Sequence, residues 1–186
     1  MAYSRDVAAA KALAARMHAG QTDKAGLPYL THPMRVAGRL EDPEAQVVGW
    51  LHDTVEDTPL TLGEIEARFG PQTAAAVDAV SRRPGEDWDD YLLRVQADPV
   101  ARQVKISDLI DNSNLSRIPR VTLADVARQA RYNRALAQLL APEGEGAEGA
   151  ADRESTPSPG HSGAASPAGA GTELSPAPPR PISSRI

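Results

Sequence analysis

Apolar residues recur at helical spacing through most of residues 1–140. The first such stretch carries them three or four positions apart, at Val7, Ala10, Ala14 and Met17. Ser4 is a suitable N-cap and Gly20 a suitable end for a helix with this face. No segment alternates apolar and polar residues with the period of two typical of a half-buried strand. The pattern predicts an all-α fold.

Helix-start residues divide the rest of this region. Pro33 suits the first position of a second helix, and Asp42-Pro43 suit the start of a third. The third helix would carry the buried residues Val47, Val48, Leu51 and Val55. Capping-box spacing at Thr61 and at Thr122 opens two more helices, and the latter runs through VARQARYNRALAQLL. Further helices are predicted over residues 72–80, 90–97 and 99–115, with a loop over 82–90, giving seven or eight helices in all.

Composition separates the C-terminal segment from this helical region. Residues 141–186 hold 8 of the 16 prolines and 7 of the 14 glycines, but only three large apolar residues, Leu174, Ile182 and Ile186. Such a segment cannot bury enough apolar surface to offset its ordering entropy, so we predict a disordered tail. Residues 1–140 are predicted to form one domain.

Charge and cysteine content exclude several classes of function. The net charge is −5 for the chain and −2 for residues 1–140, which gives no reason to expect a nucleic-acid or acidic-membrane surface. The chain has no cysteine, which excludes disulfides, thiolate catalysis and cysteine metal ligands. No apolar run approaches the roughly 20 residues that cross a bilayer, and the polar start MAYSRD is unlike a signal peptide. We expect a cytoplasmic protein.

The candidate chemistry is concentrated at His52, Asp53, Glu56 and Asp57. On one continuous helix, these residues would form a single stripe at i, i+3 and i, i+4 spacing, beside the apolar stripe. Three crowded carboxylates repel one another, and a bound cation would relieve that repulsion. Imidazole together with carboxylate suits manganese, zinc or iron. The alternative is an ordinary solvated acidic face.

Two other side chains could complete a metal site. His32 lies just before Pro33, where the backbone is rigid, and Asp108 has Lys105 and Asn112 one turn away on either side. Taken alone, His32 would be a loop or core histidine and Asp108 a surface carboxylate.

Four sequence blocks resemble a known family. HAGQTDKAGLPYLTHPMRVA, GWLHDTVEDT, TLGEIEARFG and VKISDLIDN occur in that order within residues 7–140. Together they resemble the hydrolase domain of the RelA/SpoT enzymes, and most of all the stand-alone small alarmone hydrolases of the HD superfamily.

The resemblance implies a single helical HD domain with a metal site, usually filled with manganese, made of His32, His52, Asp53 and Asp108. It also implies that Glu56 and Asp57 position and activate the attacking water. The reaction it implies removes the 3′-pyrophosphate of guanosine tetra- or pentaphosphate, leaving GDP or GTP. The implied partner is therefore a small phosphorylated nucleotide, with no nucleic acid and no membrane.

Substrate-binding residues follow the family pattern less closely. The family has an Arg-Lys pair where this chain has Asp23-Lys24, and a carboxylate cannot stack on a guanine base as a guanidinium does. The family's Arg-Leu-His before the asparagine reads Leu109-Ile110-Asp111 here. The substrate contacts that the resemblance implies are Lys24, Asn112, Arg128 and Tyr132.

Three functions therefore stay open at the sequence level. The leading one is hydrolysis of the guanosine alarmone. A second keeps the metal chemistry but acts on another phosphorylated nucleotide, because Asp23 replaces the stacking arginine. The third is an HD-fold protein that binds a nucleotide without turnover and signals through its tail.

Overall fold

The computed structural model describes residues 2–118 and 120–142. These residues form nine α-helices and one short 3₁₀ turn, and they contain no strand beyond an isolated bridge between Thr22 and Pro28. The prediction of an all-α fold is confirmed. The predicted disordered tail, residues 141–186, lies outside the described residues except for its first two positions.

Most helices follow one another with short connections, and a longer loop, residues 18–30, lies between the first and the second. They are α1 (Ala2–Met17), α2 (Thr31–Gly38), α3 (Pro43–Leu51), α4 (Thr54–Asp57), α5 (Leu62–Phe69), α6 (Pro71–Val80), α7 (Trp88–Gln96), α8 (Pro99–Asn112) and α9 (Leu123–Leu140). The 3₁₀ turn, Leu115–Arg117, lies between α8 and α9. None of the described helices is long and apolar enough to cross a membrane.

The capping residues account for several helix starts. Thr61 accepts from the backbone N–H of Glu64, whose carboxylate accepts from the backbone N–H of Thr61 at 3.0 Å. Thr122 and Asp125 make the same reciprocal pair at the start of α9. At α3 and α8 the caps are Asp42 and Asp98, each followed by a proline. The starts predicted from these residues are confirmed.

Two boundaries near the N-terminus differ from prediction. The first helix begins at Ala2 rather than after a cap at Ser4, because no proline or glycine precedes Ser4 to prevent a helix there. This helix ends at Met17, before Gly20. Pro33 is the third residue of α2, not the first. A proline is tolerated there because N–H groups in the first turn have no helical acceptor.

Two boundaries further along also differ. Residues 88–90, predicted as loop, belong to α7, because Asp87 caps that helix by accepting from the backbone N–H of Asp89 at 2.8 Å. The α8 helix ends at Asn112 rather than at Leu115. Asn114 then caps the 3₁₀ turn by accepting from the backbone N–H of Ser116.

The predicted single helix over His52–Asp57 is wrong, because the chain breaks at His52 and Asp53 between α3 and α4. Side chains take up carbonyl groups at the end of α3: His52 Nδ1 lies 2.8 Å from Gly49 O, and the Thr54 hydroxyl donates to Leu51 O at 2.6 Å. Local side-chain hydrogen bonds of this kind compete with the helical ladder. We refer to His52 and Asp53, the two residues between α3 and α4, as the corner.

The core has two apolar clusters of buried residues. The larger is formed by residues of α1, α2, α3, α5, α6 and the start of α8, and the smaller by residues of α7, α8 and α9. The α3 helix packs on α1, α2, α6 and α8. Val48 and Leu51 on α3 are completely buried. The corner that follows Leu51 is therefore held against α2 and α8.

Candidate metal centre

Four side chains from three parts of the fold converge at this corner. His32 comes from α2, His52 and Asp53 from the corner itself, and Asp108 from α8. His32, His52 and Asp53 each offer a ligand atom, and these atoms all lie within 4.8 Å of one another. Asp108 Oδ1 lies 3.2 Å from His32 Nε2 and 3.8 Å from His52 Nε2. The structure thus brings together the four residues predicted as metal ligands.

Both histidines present Nε2 to the centre because Nδ1 is engaged elsewhere. Nδ1 of His52 lies 2.8 Å from the carbonyl oxygen of Gly49, and Nδ1 of His32 lies 2.9 Å from Oδ2 of Asp111. These acceptors fix Nδ1 as the protonated nitrogen of a neutral ring. The two Nε2 atoms face each other at 3.3 Å. Two lone pairs at that distance repel unless a proton or a metal ion lies between them.

Asp53 is oriented by a buried tyrosine. Its Oδ2 lies 3.0 Å from His52 Nε2 and 3.5 Å from His32 Nε2, and it accepts a hydrogen bond from the Tyr29 hydroxyl at 2.6 Å. The same hydroxyl lies 3.4 Å from Oδ2 of Asp57. Burial and the charges of the two aspartates raise the pKa of Tyr29 well above its ordinary value, so Tyr29 remains a donor. Tyr29 therefore links Asp53 to Asp57.

Asp108 is held by two neighbours on its own helix. Lys105 donates to its Oδ2 at 2.8 Å, and the Asn112 amide donates to its Oδ1 at 2.6 Å. Burial would raise the pKa of Asp108, but the charge of Lys105 and the hydrogen bond with His32 keep it below the ordinary value. Asp108 is therefore ionised, and its carboxylate could serve as an oxygen ligand.

The carboxylates change the basicity of the two histidines. Burial by itself lowers the pKa of His32, but hydrogen bonds to Asp108 and Asp111 and the charge of Asp53 raise it to about 9. The pKa of His52 is raised from its ordinary value by Asp53 despite its burial. In the metal-free protein, protons thus neutralise the charge of the buried carboxylates.

A second layer of charge lies behind His32. Asp111 is only 1% exposed, and its carboxylate accepts from Arg35 Nε at 2.9 Å and from an Arg39 nitrogen at 2.9 Å as well as contacting His32. All three partners belong to α2 or its C-cap, so one carboxylate of α8 binds one face of α2.

Glu56 and Asp57, predicted to act on water, have different surroundings. Asp57 lies beside Asp53 through Tyr29, and its backbone carbonyl accepts from the Gln21 side chain at 3.0 Å. Glu56 Oε1 accepts from the backbone N–H of Arg82 at 2.8 Å. Glu56 also lines a cavity of about 480 Å³, whose wall includes residues 81–85. The predicted single stripe of four groups on one continuous helix is therefore not formed.

The residues predicted to contact substrate fall into two groups. Lys24 lies 3.6 Å from Asp125 Oδ1, and Arg128 hydrogen-bonds the same oxygen, so both cations meet at one carboxylate. Asn112 and Tyr132 are close to the metal ligands instead. The Asn112 amide donates to Asp108. Burial is the larger cause that raises the pKa of Tyr132, and the charge of Asp108 raises it further.

Asp23, which stands where the family has its stacking arginine, is occupied locally. Its Oδ1 accepts from the backbone N–H groups of Ala25 and Leu27, both at 2.9 Å. The carboxylate thus holds the turn of the loop that precedes α2, and the neighbouring Gly26 has a φ of 78°, which favours glycine.

The donor set fits a divalent transition metal. Two imidazole nitrogens and two carboxylates suit manganese, zinc or iron, and all four side chains are held by a further hydrogen bond to a neighbour, as is usual around metal ligands. The facing Nε2 atoms are an additional reason to expect a cation there.

Two residues at this site, Tyr29 and Asp111, were not predicted as part of it. The family resemblance implies only a scaffold role in the loop for Tyr29, and it marks Asp111 as a departure from the family pattern. Asp111 is three positions after Asp108 on the same helix, and so on the same face. That spacing was the available indication.

Part of the chain is similar to a known protein family and to several named proteins. Residues 10–85 match the family model described as HD domain. The chain is 33% identical over 122 residues to a guanosine-3′,5′-bis(diphosphate) 3′-pyrophosphohydrolase of Aquifex aeolicus, covering 59% of this chain and 18% of that protein. It is 31% identical over 143 residues to a probable GTP pyrophosphokinase of Mycobacterium leprae, covering 70% and 18%. The chain spans less than a fifth of these relatives.

A solved structure shares the fold. It is described as a metazoan ortholog of SpoT that hydrolyzes ppGpp, and it matches with a TM-score of 0.61 and 20% identity, covering 72% of this chain and 84% of that one. The resemblance predicted from the four sequence blocks is confirmed by the family match and the named relatives.

Proposed function

We propose that this chain, which carries an HD domain over residues 10–85, is a metal-dependent hydrolase of guanosine tetra- and pentaphosphate. It would remove the 3′-pyrophosphate and leave GDP or GTP. The observation that carries this proposal is the pair of facing Nε2 atoms of His32 and His52, 3.3 Å apart and within reach of two carboxylates. The activity for which the Aquifex relative is named supports the choice of reaction.

We propose manganese as the ion and His32, His52, Asp53 and Asp108 as its ligands. When bound, such an ion polarises phosphoryl oxygens and lowers the pKa of water. Zinc and iron suit the same donors and are the alternatives that metal analysis would separate.

The chain's own residues would handle the proton. Asp57 lies beside Asp53 through the shared Tyr29 hydroxyl, which supports a role in orienting the attacking water. Glu56 lies on the wall of a cavity within the size range of small-molecule sites. We propose that Glu56 and Asp57 orient this water and exchange its proton, as positioned carboxylates do in general acid–base catalysis.

Four residues are proposed to bind the nucleotide: Lys24, Asn112, Arg128 and Tyr132. Asn112 has the clearest support, because its amide oxygen is buried without a hydrogen-bond partner while its NH₂ group donates to Asp108. An unpaired buried acceptor next to a metal ligand suits a ribose hydroxyl. Lys24 and Arg128 would bind phosphate after exchanging their contacts with Asp125.

A second candidate keeps the chemistry and changes the base. Asp23 is committed to its own loop through Ala25 and Leu27, so this position offers no guanidinium to stack on guanine. This observation favours another phosphorylated nucleotide as the alternative substrate.

We place the activity in a domain formed by residues 1–140 and propose that residues 141–186 are a disordered appendage. The proposed location is the cytoplasm, and the proposed partner is the nucleotide, with no nucleic acid. Nucleotide binding without turnover, with signalling through the tail, is the alternative outside catalysis.

A product-release screen tests these proposals. The purified full chain with manganese is offered guanine and adenine nucleotides, including guanosine tetraphosphate, and pyrophosphate and orthophosphate are measured separately. We expect pyrophosphate from guanosine tetraphosphate, abolished by Asp53→Ala and retained by Asp90→Ala, a change at an exposed aspartate of α7. Orthophosphate release from other nucleotides alone would replace the first candidate with the second. Nucleotide binding without any release would favour the non-catalytic alternative.

A further inference from the structure

Asp111 is a buried charge whose position is unusual for a structural residue. It is 1% exposed, lies one turn after Asp108 on α8, and contacts the Nδ1 atom of His32 at 2.9 Å. A buried carboxylate is costly unless it is paired and hydrogen-bonded. The partners that stabilise the Asp111 carboxylate therefore indicate its role.

Two arginines fix this carboxylate from α2. Arg35 donates through Nε at 2.9 Å to Oδ1 and through a terminal nitrogen at 3.0 Å to Oδ2, and Arg39 donates to Oδ1 at 2.9 Å. Arg35 and Arg39 are three and seven positions after His32, so all three share one helix face. The arginines neutralise the carboxylate and leave Oδ2 directed at His32.

We infer that Asp111 is the positioning residue of the metal centre, holding His32 with Nε2 directed at the ion while Arg35 and Arg39 hold Asp111. The inference rests on the proposed function, since it concerns the same centre. A carboxylate on the outer nitrogen of a metal-binding histidine fixes the ring orientation and makes the ligand nitrogen more basic. His52 has only a backbone carbonyl in the equivalent place, so the two histidines are held differently.

The test compares Asp111→Asn with Asp78→Asn in the full chain. Asp78 pairs with Arg83 at 2.9 Å on the surface, and so provides the same substitution at an arginine-paired aspartate that is not among the proposed metal ligands. Manganese binding is measured by calorimetry, and the visible spectrum is recorded with saturating cobalt. We expect Asp111→Asn to raise the manganese dissociation constant about 10- to 100-fold and to alter the cobalt spectrum, whereas Asp78→Asn changes neither.

Several outcomes would overturn the inference. If Asp111→Asn lowers the melting temperature of the metal-free protein but leaves manganese affinity and the cobalt spectrum unchanged, Asp111 only joins α2 to α8. If Asp111→Asn does not fold, Arg35→Gln is compared with Arg83→Gln. Weaker manganese binding in Arg35→Gln alone supports the inference, and equal binding in both overturns it. Absence of manganese and cobalt binding in the unmodified chain contradicts the proposed function itself, a result distinct from the others.

Discussion

At the residue scale, the candidate centre depends on side chains that each make two contacts. His52 contacts Gly49 O with one nitrogen and faces the centre with the other, and Asp108 binds Lys105 with one oxygen and His32 with the other. Such outer contacts fix the direction of a ligand before any ion binds, which reduces the entropy lost on binding. The centre is therefore preorganised by its neighbours.

Glu56 provides the first prediction at this scale. We expect Glu56→Gln to retain manganese binding but to lower kcat about 10²- to 10⁴-fold, because the amide cannot take the proton of the attacking water. The measurements are calorimetry with manganese and steady-state pyrophosphate release. Glu66→Gln, a change at an exposed glutamate of α5, is the control. Full activity in Glu56→Gln would remove Glu56 from the proposed proton transfer.

His32 provides the second prediction, which concerns pH. Hydrogen bonds to Asp108 and Asp111 outweigh burial and raise its pKa to about 9 in the metal-free protein, so the proton stabilises the folded state at neutral pH and that contribution is lost as pH rises through 9. A metal needs the neutral ring, so its binding must release this proton. We expect manganese affinity to increase from about pH 6 to about pH 9. Calorimetry in two buffers of different ionisation enthalpy counts the protons, and a count of zero at neutral pH would contradict the prediction.

At the element scale, the close approach of α2 and α3 sets the distance between the two histidines. Gly49 on α3 makes this approach possible: a Cβ added there would lie 3.1 Å from Ala37 Cα and 3.0 Å from Leu40 Cδ1. The first of these atoms belongs to the backbone of α2 and cannot move unless the helix moves. Since α2 carries His32 and α3 ends before His52, their spacing also determines the metal centre.

Gly49→Ala tests this spacing. Alanine is ordinarily favoured over glycine in a helix by about 1 kcal/mol. Here we expect overpacking to dominate and to lower the free energy of unfolding by about 1–3 kcal/mol, together with weaker manganese binding. Urea unfolding and calorimetry measure the two effects. Gly38→Ala is the control, because nothing lies within 4 Å of an added Cβ there. A stabilised Gly49→Ala variant would show that α2 can move away without cost.

At the scale of the whole molecule, the metal centre joins elements that are distant in sequence. Its four proposed ligands come from α2, the corner between α3 and α4, and α8, and these elements also pack around the larger apolar cluster. A ligand that binds only the folded state stabilises it by mass action. An ion held by all three elements would therefore stabilise the domain as a unit.

This coupling gives the fourth prediction. Manganese at 100 times its dissociation constant should add about 2.7 kcal/mol to the free energy of unfolding, which raises the melting temperature by roughly 5–10 °C in a domain of this size. Thermal melts with and without chelator measure the shift. Asp108→Asn should remove most of it, and a shift that persists undiminished in this variant would mean that the ion binds elsewhere.

Features that depend on neighbouring residues could be predicted from the sequence alone. The caps at Thr61 and Thr122 and the Asp-Pro starts of α3 and α8 act within one helical turn, so their positions were predictable. The sequence blocks around His32, His52 and Asp108 also indicated a shared site, because residue type restricts the chemistry.

Features that depend on contacts between distant parts of the chain could not be predicted from the sequence, because they follow from how the helices pack. The helix breaks at His52–Asp53, where side-chain hydrogen bonds replace the helical ladder next to α2 and α8. Glu56 accepts a hydrogen bond from the backbone N–H of Arg82, 26 positions away in sequence. In the sequence, Asp111 is only a departure from the family pattern. In the structure, the packing of α2 against α8 brings Asp111 into contact with His32, 79 positions away in sequence. Residue spacing describes a face of one helix, but it contains no information on which other element packs against that face.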